Sequence, residues 1–130
     1  MAERKAPRRR TGTTRRRITP RRRAPRVVVI LAAYPRRVDA ERAARALVRA
    51  RVIACATVTP HGNAFYRWKG KERADASTLL WGKTTASRTR AAISAIRSTH
   101  PDRVPEILVL PVVGGDAGYL AWVRDEVRRR

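Results

Sequence analysis

VVVILAA, residues 27–33, opens on four β-branched residues and carries no polar side chain until Tyr34. A half-buried strand alternates apolar and polar positions; an unbroken apolar run bounded by a turn residue reads as a strand buried on both faces. Pro35 is that boundary. EILVLPV, residues 106–112, has the same character after Pro105. Two strands of this kind set the terms for the rest of the chain, because each needs cover on two sides.

The segments between them supply part of that cover. Ala40, Ala43, Ala44, Leu47 and Val48 recur at helical spacing, with Arg42, Arg45 and Arg49 on the opposite side. Asp39 is placed to cap this helix, which should end near Arg51. VIACATV (52–58) reads as a second strand, interrupted at 60–63 by Pro60 and Gly62 and resumed by AFYRW (64–68) after a bend or bulge. KGKER (69–73) reads as a polar connection around Gly70, and STLLWGKT (77–84) as the third strand. Ser87 is placed to cap a second helix with Thr89, Ala92, Ile93 and Ile96 inward; Pro101 ends it. After the fourth strand, Gly114-Gly115-Asp116 is a loop and AGYLAWVRDEV (117–127) a short amphipathic helix.

The order βαββαβ plus a C-terminal helix is α+β and predicts a ferredoxin-like sandwich. Two helices cover only one face of such a sheet. The first and last strands are apolar on both faces, so the second face should be covered by another copy of the chain.

Charge is unevenly spread. Of 31 basic residues, twelve precede Val27, against a single acid, Glu3. Residues 1–26 hold Arg8, Arg9, Arg10, Arg15, Arg16, Arg17, Arg21, Arg22 and Arg23 in three triplets, no aromatic residue and one isoleucine. Such a segment buries too little apolar surface to offset the entropy of ordering, so it is expected to be a disordered tail before a single domain at 27–130. Three uses fit it: nucleic-acid or other polyanion contact through those arginines, targeting, or a plain solvated extension. A twin-arginine signal fits poorly, because the apolar run after the arginines is short and has no small-residue cleavage site. No run approaches the ~20 apolar residues of a membrane span. The single cysteine, Cys55, rules out an intrachain disulfide and is in keeping with a reducing cytoplasm.

No catalytic set stands out. There is no phosphate-cradling glycine loop, HExxH or CxxC. Cys55 lies in an apolar strand and reads as a small core residue rather than a nucleophile. Imidazole suits copper(II) and zinc, which makes His100 the candidate ligand once a symmetric assembly brings it near other donors. HGNAFYRW (61–68) faintly echoes the aromatic motif of RNA-recognition modules, but His61 and Asn63 depart from it and the first strand has no stacking aromatic.

ACATVTP, FYRWKGK, KTTAS, HPDRVPEILVLPV and GDAGYLAWV occur in this order across residues 54–123. Together they resemble the CutA divalent-cation tolerance family, over roughly residues 27–125. The resemblance implies a ferredoxin-like subunit in a tight homotrimer that packs sheet against sheet. It also implies a non-enzymatic role in tolerance of copper and other divalent cations, with no organic cofactor. The family's recurring cleft positions fall on Tyr66, Trp68, Lys83, His100, Glu106, Tyr119 and Trp122. In that reading Lys83 pairs with Glu106 or attracts an anion, and His100 is the metal ligand, with Asp102 as a replacement oxygen donor. Trp68, Tyr119 and Trp122 are expected as trimer-interface anchors. Ala32, Ser77, Thr99 and Asp102 depart from the family pattern by removing soft, acidic, imidazole and tyrosine groups. By analogy with similarly folded trimeric signalling proteins, the clefts are also candidates for a small-ligand sensor.

Overall fold

The computed structural model of the chain describes residues 24–129 together with Gly12. The arginine triplets at 8–10, 15–17 and 21–23 lie outside the described residues. The elements are β1 (Val27–Tyr34), α1 (Arg37–Arg49), β2 (Cys55–Trp68), β3 (Lys71–Thr85), a 3-10 turn (Ala86–Arg88), α2 (Thr89–Thr99), β4 (Ile107–Pro111) and α3 (Ala117–Glu126). The four strands form one sheet in the order β2-β3-β1-β4, and every pairing is antiparallel. This is the expected ferredoxin-like plan, with the doubly apolar β1 in an interior position and β4 at an edge.

Local chemistry sets the boundaries, and several differ from the expected ones. The chain enters α1 directly after Pro35, so the capping position is Arg36 and no side chain caps it. Asp39 falls in the first turn instead, where a carboxylate still meets the positive end of the helix dipole. The helix closes through Arg51 at φ 59°. The Arg51 N–H donates to Val48 O and the Val52 N–H to Leu47 O, each at 3.0 Å, the paired bonds of a Schellman closure. Val52 and Ile53 are spent on this closure, both donating to Leu47 O, and β2 starts at Cys55 rather than at Val52. Ser87 lies inside the 3-10 turn, hydroxyl to hydroxyl with Thr85 at 3.0 Å, and does not cap α2. Asp116 does cap α3, accepting from the Tyr119 N–H at 2.9 Å.

The hairpin of β2 and β3 is longer than the sequence pattern suggested. Pairing runs from Cys55↔Lys83 to Trp68↔Lys71. The stretch 69–73 is therefore mostly strand. Only Lys69 (φ 50°) and Gly70 (φ 76°) turn, as a two-residue connection with both centres left-handed. The expected bulge is present between Thr59 and Gly62, where His61 adopts φ 69°. Pro60 is tolerated there because β2 is an edge strand.

The two sheet faces are covered differently. Val28, Ile30, Ala32 and Tyr34 of β1 pack with Leu80, Ile53 and the inner residues of α1 and α2, Ala40, Ala43, Ala44, Leu47, Ala92 and Ile96. On the other face α3 covers one end only, through Val123 and Val127 against Val27 and Ala54. The rest of that face carries Leu31, Leu79 and Trp81, part-buried, and Leu108 and Leu110, exposed at 48% and 37%.

Candidate functional site

Most of the residues singled out from sequence fall into two groups, one toward each end of β1. At the α3 end, Lys83 of β3 stands opposite Cys55 of β2. Its Nζ donates to Thr57 Oγ1 at 3.2 Å and to the Trp81 carbonyl at 2.9 Å. Cys55 is half-buried and opens its strand rather than sitting in its centre; its Sγ meets the Tyr119 hydroxyl at 3.2 Å. Burial first, then this contact and the charge of the Cys55 thiolate, push the Tyr119 phenol up to about 12. Trp122 lies one helical turn on, its ring tilted against Tyr119 at 5.8 Å between centroids. Both rings remain over 40% exposed on this surface.

The second group surrounds the junction of α2 and β4. Pro101 stops α2, and His100 occupies the C-cap position in an extended conformation. Its side chain is wholly buried and stacks on Tyr34 at 4.4 Å. His100 Nε2 lies 2.6 Å from the Ala33 carbonyl, and Nδ1 accepts the Asp102 N–H at 3.1 Å. A carbonyl only accepts and an N–H only donates, so the neutral ring carries its proton on Nε2. Both nitrogens are thus engaged by backbone. The Asp102 carboxylate lies 4.0 Å from Nδ1 and is half exposed. Glu106 sits next to Ala33, whose N–H donates to its carbonyl at 3.1 Å, and its side chain is exposed.

Tyr66 and Trp68 lie on the outer part of the β2–β3 hairpin, each 43% exposed. The Tyr66 hydroxyl donates to Asp75 Oδ2. That hydrogen bond, followed by burial and the charge of Asp75, raises the Tyr66 pKa, and the Asp102 charge adds to the shift.

One subunit does not bring these residues into one cleft. Eight residues of β3 separate Lys83 from Asp75, which is about 26 Å of strand at ~3.3 Å per residue. Lys83 also does not pair with Glu106: Lys83 is opposite Val29 and Glu106 binds at Ala33, about 13 Å further along β1. Its ammonium is satisfied locally by Thr57 and Trp81 instead. These partners, and the backbone groups that hold His100, were not singled out from sequence. Strand register and the return of residue 100 onto β1 create them, and neither leaves a mark in local composition.

The donor set tests the metal reading. Among the described residues no group of three or more His, Cys, Asp or Glu side chains could hold an ion. His100 offers a lone pair only at Nδ1, and only if the Asp102 N–H is displaced. A single subunit therefore does not fit a metal centre.

Comparison with known proteins agrees with the fold and the motif order. Residues 28–126 match the family model described as "CutA1 divalent ion tolerance protein". A divalent-cation tolerance protein CutA from Salmonella newport is 36% identical over 104 residues, covering 80% of this chain and 90% of the relative. Among solved structures, CutA from Xylella fastidiosa aligns with a TM-score of 0.76 at 35% identity, covering 78% of this chain and 98% of that one. CutA1 from Oryza sativa aligns with a TM-score of 0.79 at 29% identity, over 82% and 98%. With its ferredoxin-like sheet and its motifs in family order, the chain belongs to the CutA1 divalent ion tolerance family.

Proposed function

We propose that this CutA-family divalent-cation tolerance protein acts as a non-enzymatic homotrimer in the cytoplasm, with copper(II) as the first ion to test. The observation that carries the reading is the open sheet face. Leu31, Leu79, Trp81, Leu108 and Leu110 form an apolar surface that α3 leaves uncovered. Surfaces of this kind mark association sites. Packing sheet against sheet gives β1 and β4 the second cover their sequences call for.

Assembly also answers the separation of the two residue groups. In the trimer the Lys83, Tyr119 and Trp122 end of one subunit meets the Tyr66, His100, Asp102 and Glu106 end of its neighbour, and the cleft forms between subunits. Trp68, Tyr119 and Trp122 serve as apolar anchors of that contact. The His100–Asp102 pair supplies one imidazole and one carboxylate, a combination that suits copper(II). Since one subunit lacks the remaining donors, cation binding draws on more than one subunit.

Light scattering on the full chain tests the assembly: the expected mass is three times that of the chain, and a stable monomer refutes the reading. Copper(II) titration of wild type beside Asp102→Asn and His100→Gln tests the donors. Weaker binding by both variants is expected, and wild-type affinity in both removes this pair from the site.

A further inference from the structure

The outward side of α1 is a row of arginines with little opposing charge. Arg42, Arg45 and Arg49 are exposed and, with Val38, Glu41 and Ala46, line a shallow depression along the helix. None of the three is in an ion pair among the described residues. The one acid in the row, Glu41, is already taken by Arg37 at 2.7 Å. The Arg37 hydrogen bond first, and then the charges of Arg37 and Arg45, hold the Glu41 carboxyl below its usual range.

Past the helix the side chain of Arg51 is taken by Glu126 at 3.7 Å, but Arg88 Nη2 donates to the Arg51 carbonyl at 3.3 Å, which brings the start of α2 and exposed Arg90 to the same end of the subunit. The chain also enters the fold there. The Ala86 N–H, just before α2, donates to the Arg26 carbonyl at 2.8 Å, and Arg124 Nε donates to the Pro25 carbonyl at 2.8 Å. Pro25 and Arg26 thus lie at the end of this arginine row.

We infer that the α1 face of this protein is a docking surface for the phosphate backbone of duplex nucleic acid. Three features select that partner. Positions 42, 45 and 49 spread three cations over about 10 Å of helix axis, which suits the dense, regularly repeated line of negative charge along a duplex backbone. Guanidinium forks bind phosphate oxygens in pairs, and the residue is arginine at every position of the row. The face has no aromatic residue for stacking unpaired bases, which favours duplex over single strand. Its exposed large apolar residues are Val38 and Val48, too small to anchor a helix in a lipid interface.

The surface lies on the helix side of the sheet, opposite the face assigned to subunit packing, so this inference does not depend on the trimer. Lattice-free binding in solution tests it, by fluorescence anisotropy of a labelled DNA duplex of random sequence at a series of salt concentrations. Wild-type full chain is compared with Arg42→Gln/Arg45→Gln/Arg49→Gln and with a charge-matched control on the hairpin and the α2–β4 loop, Arg67→Gln/Arg73→Gln/Arg103→Gln. Wild type should bind with a steep salt dependence. The α1 variant should flatten the slope of log affinity against log salt by about 2 to 3, close to ~0.9 per lost phosphate contact, and the control by less than about 1. Lysine at the same three α1 positions should restore the slope, which separates lost contact from lost fold. Equal flattening in both glutamine variants reduces the effect to net charge and overturns the surface. An unchanged slope in the α1 variant assigns binding to basic residues elsewhere in the chain and overturns it too. So does wild type that fails to bind. Polyglutamate that competes as well as unlabelled duplex at equal charge overturns the choice of nucleic acid.

Discussion

The two faces of β1 are built from one apolar run, yet they end in different surroundings. Val28, Ile30, Ala32 and Tyr34 are no more than 6% exposed under α1 and α2. Val29, Leu31 and Ala33 point the other way and remain half-buried. The helix face is complete within one chain. The open face is finished only at the α3 end. An apolar residue left uncovered within one chain is where an outside neighbour would pack, and that contrast is the ground for the proposed assembly.

The largest effect should come from the closed face. Ile30→Ala removes a side chain with 0% exposure from the centre of the helix-covered core. Its expected cost is about 3 to 5 kcal/mol, read by chemical denaturation, with little dependence on protein concentration after allowance for assembly. Next comes the open face. Leu110 is 37% exposed in one subunit, and if water stays on it Leu110→Ala costs below about 1 kcal/mol. Covered by a neighbour, it should cost about 2 kcal/mol or more, and the melting temperature should rise with protein concentration. A small, concentration-independent loss would break the comparison, because both faces would then be finished within the chain.

Tyr34 sharpens it from inside the closed face. Its ring is buried, but its hydroxyl has no hydrogen-bond partner among the described residues. Burial first, then the charge of Asp39, push the phenol up to about 12 from 10. The native state therefore holds this proton more tightly than the unfolded chain does. The resulting stability is complete below pH 10 and is lost as pH rises through about 12, a change of roughly 2–3 kcal/mol. Tyr119 is also raised to about 12, but at 42% exposure solvent screens most of its share. Tyr34→Phe should add about 1 kcal/mol at neutral pH, by removing an unpaired buried group, and flatten the loss above pH 10 in thermal melts. The smallest effect lies beyond both faces, at the hairpin tip. Lys69 holds φ 50° in a turn that favours Asn-Gly. Lys69→Asn should stabilise by about 0.5 kcal/mol, seen as a small rise in melting temperature with unchanged assembly.

Sequence reading did best where periodicity was strong. The β1 and β4 runs, the inner face of α1, the stop at Pro101 and the bulge near Pro60 were all legible, because each follows from apolar spacing or from the geometry of proline. Caps and strand ends were less so. Asp39 and Ser87 are good capping residues in the wrong places, since the chain's entry after Pro35 and the 3-10 turn at 86–88 set where the helices begin. The outer hairpin was hidden by composition: Lys71, Glu72 and Arg73 are strand residues in a segment exposed on both sides, and without a buried face there is no alternation to detect.

The candidate site divides along the same line. Its residues could be named from motif order, but their contacts could not. His100 is a candidate ligand in sequence, and the fold places it in a backbone clamp between Ala33 and Asp102. The resemblance has Lys83 pairing with Glu106 or attracting an anion, and register sets the two residues about four positions apart along β1. The sequence by itself determined the element order, the doubly apolar strands, the arginine-rich start and the family motifs, because these depend on neighbours in the chain. Only the tertiary structure decided which face stays open, which imidazole nitrogen carries a proton and which arginines form one row. Those depend on residues far apart in sequence that the sheet register and the helix packing bring together.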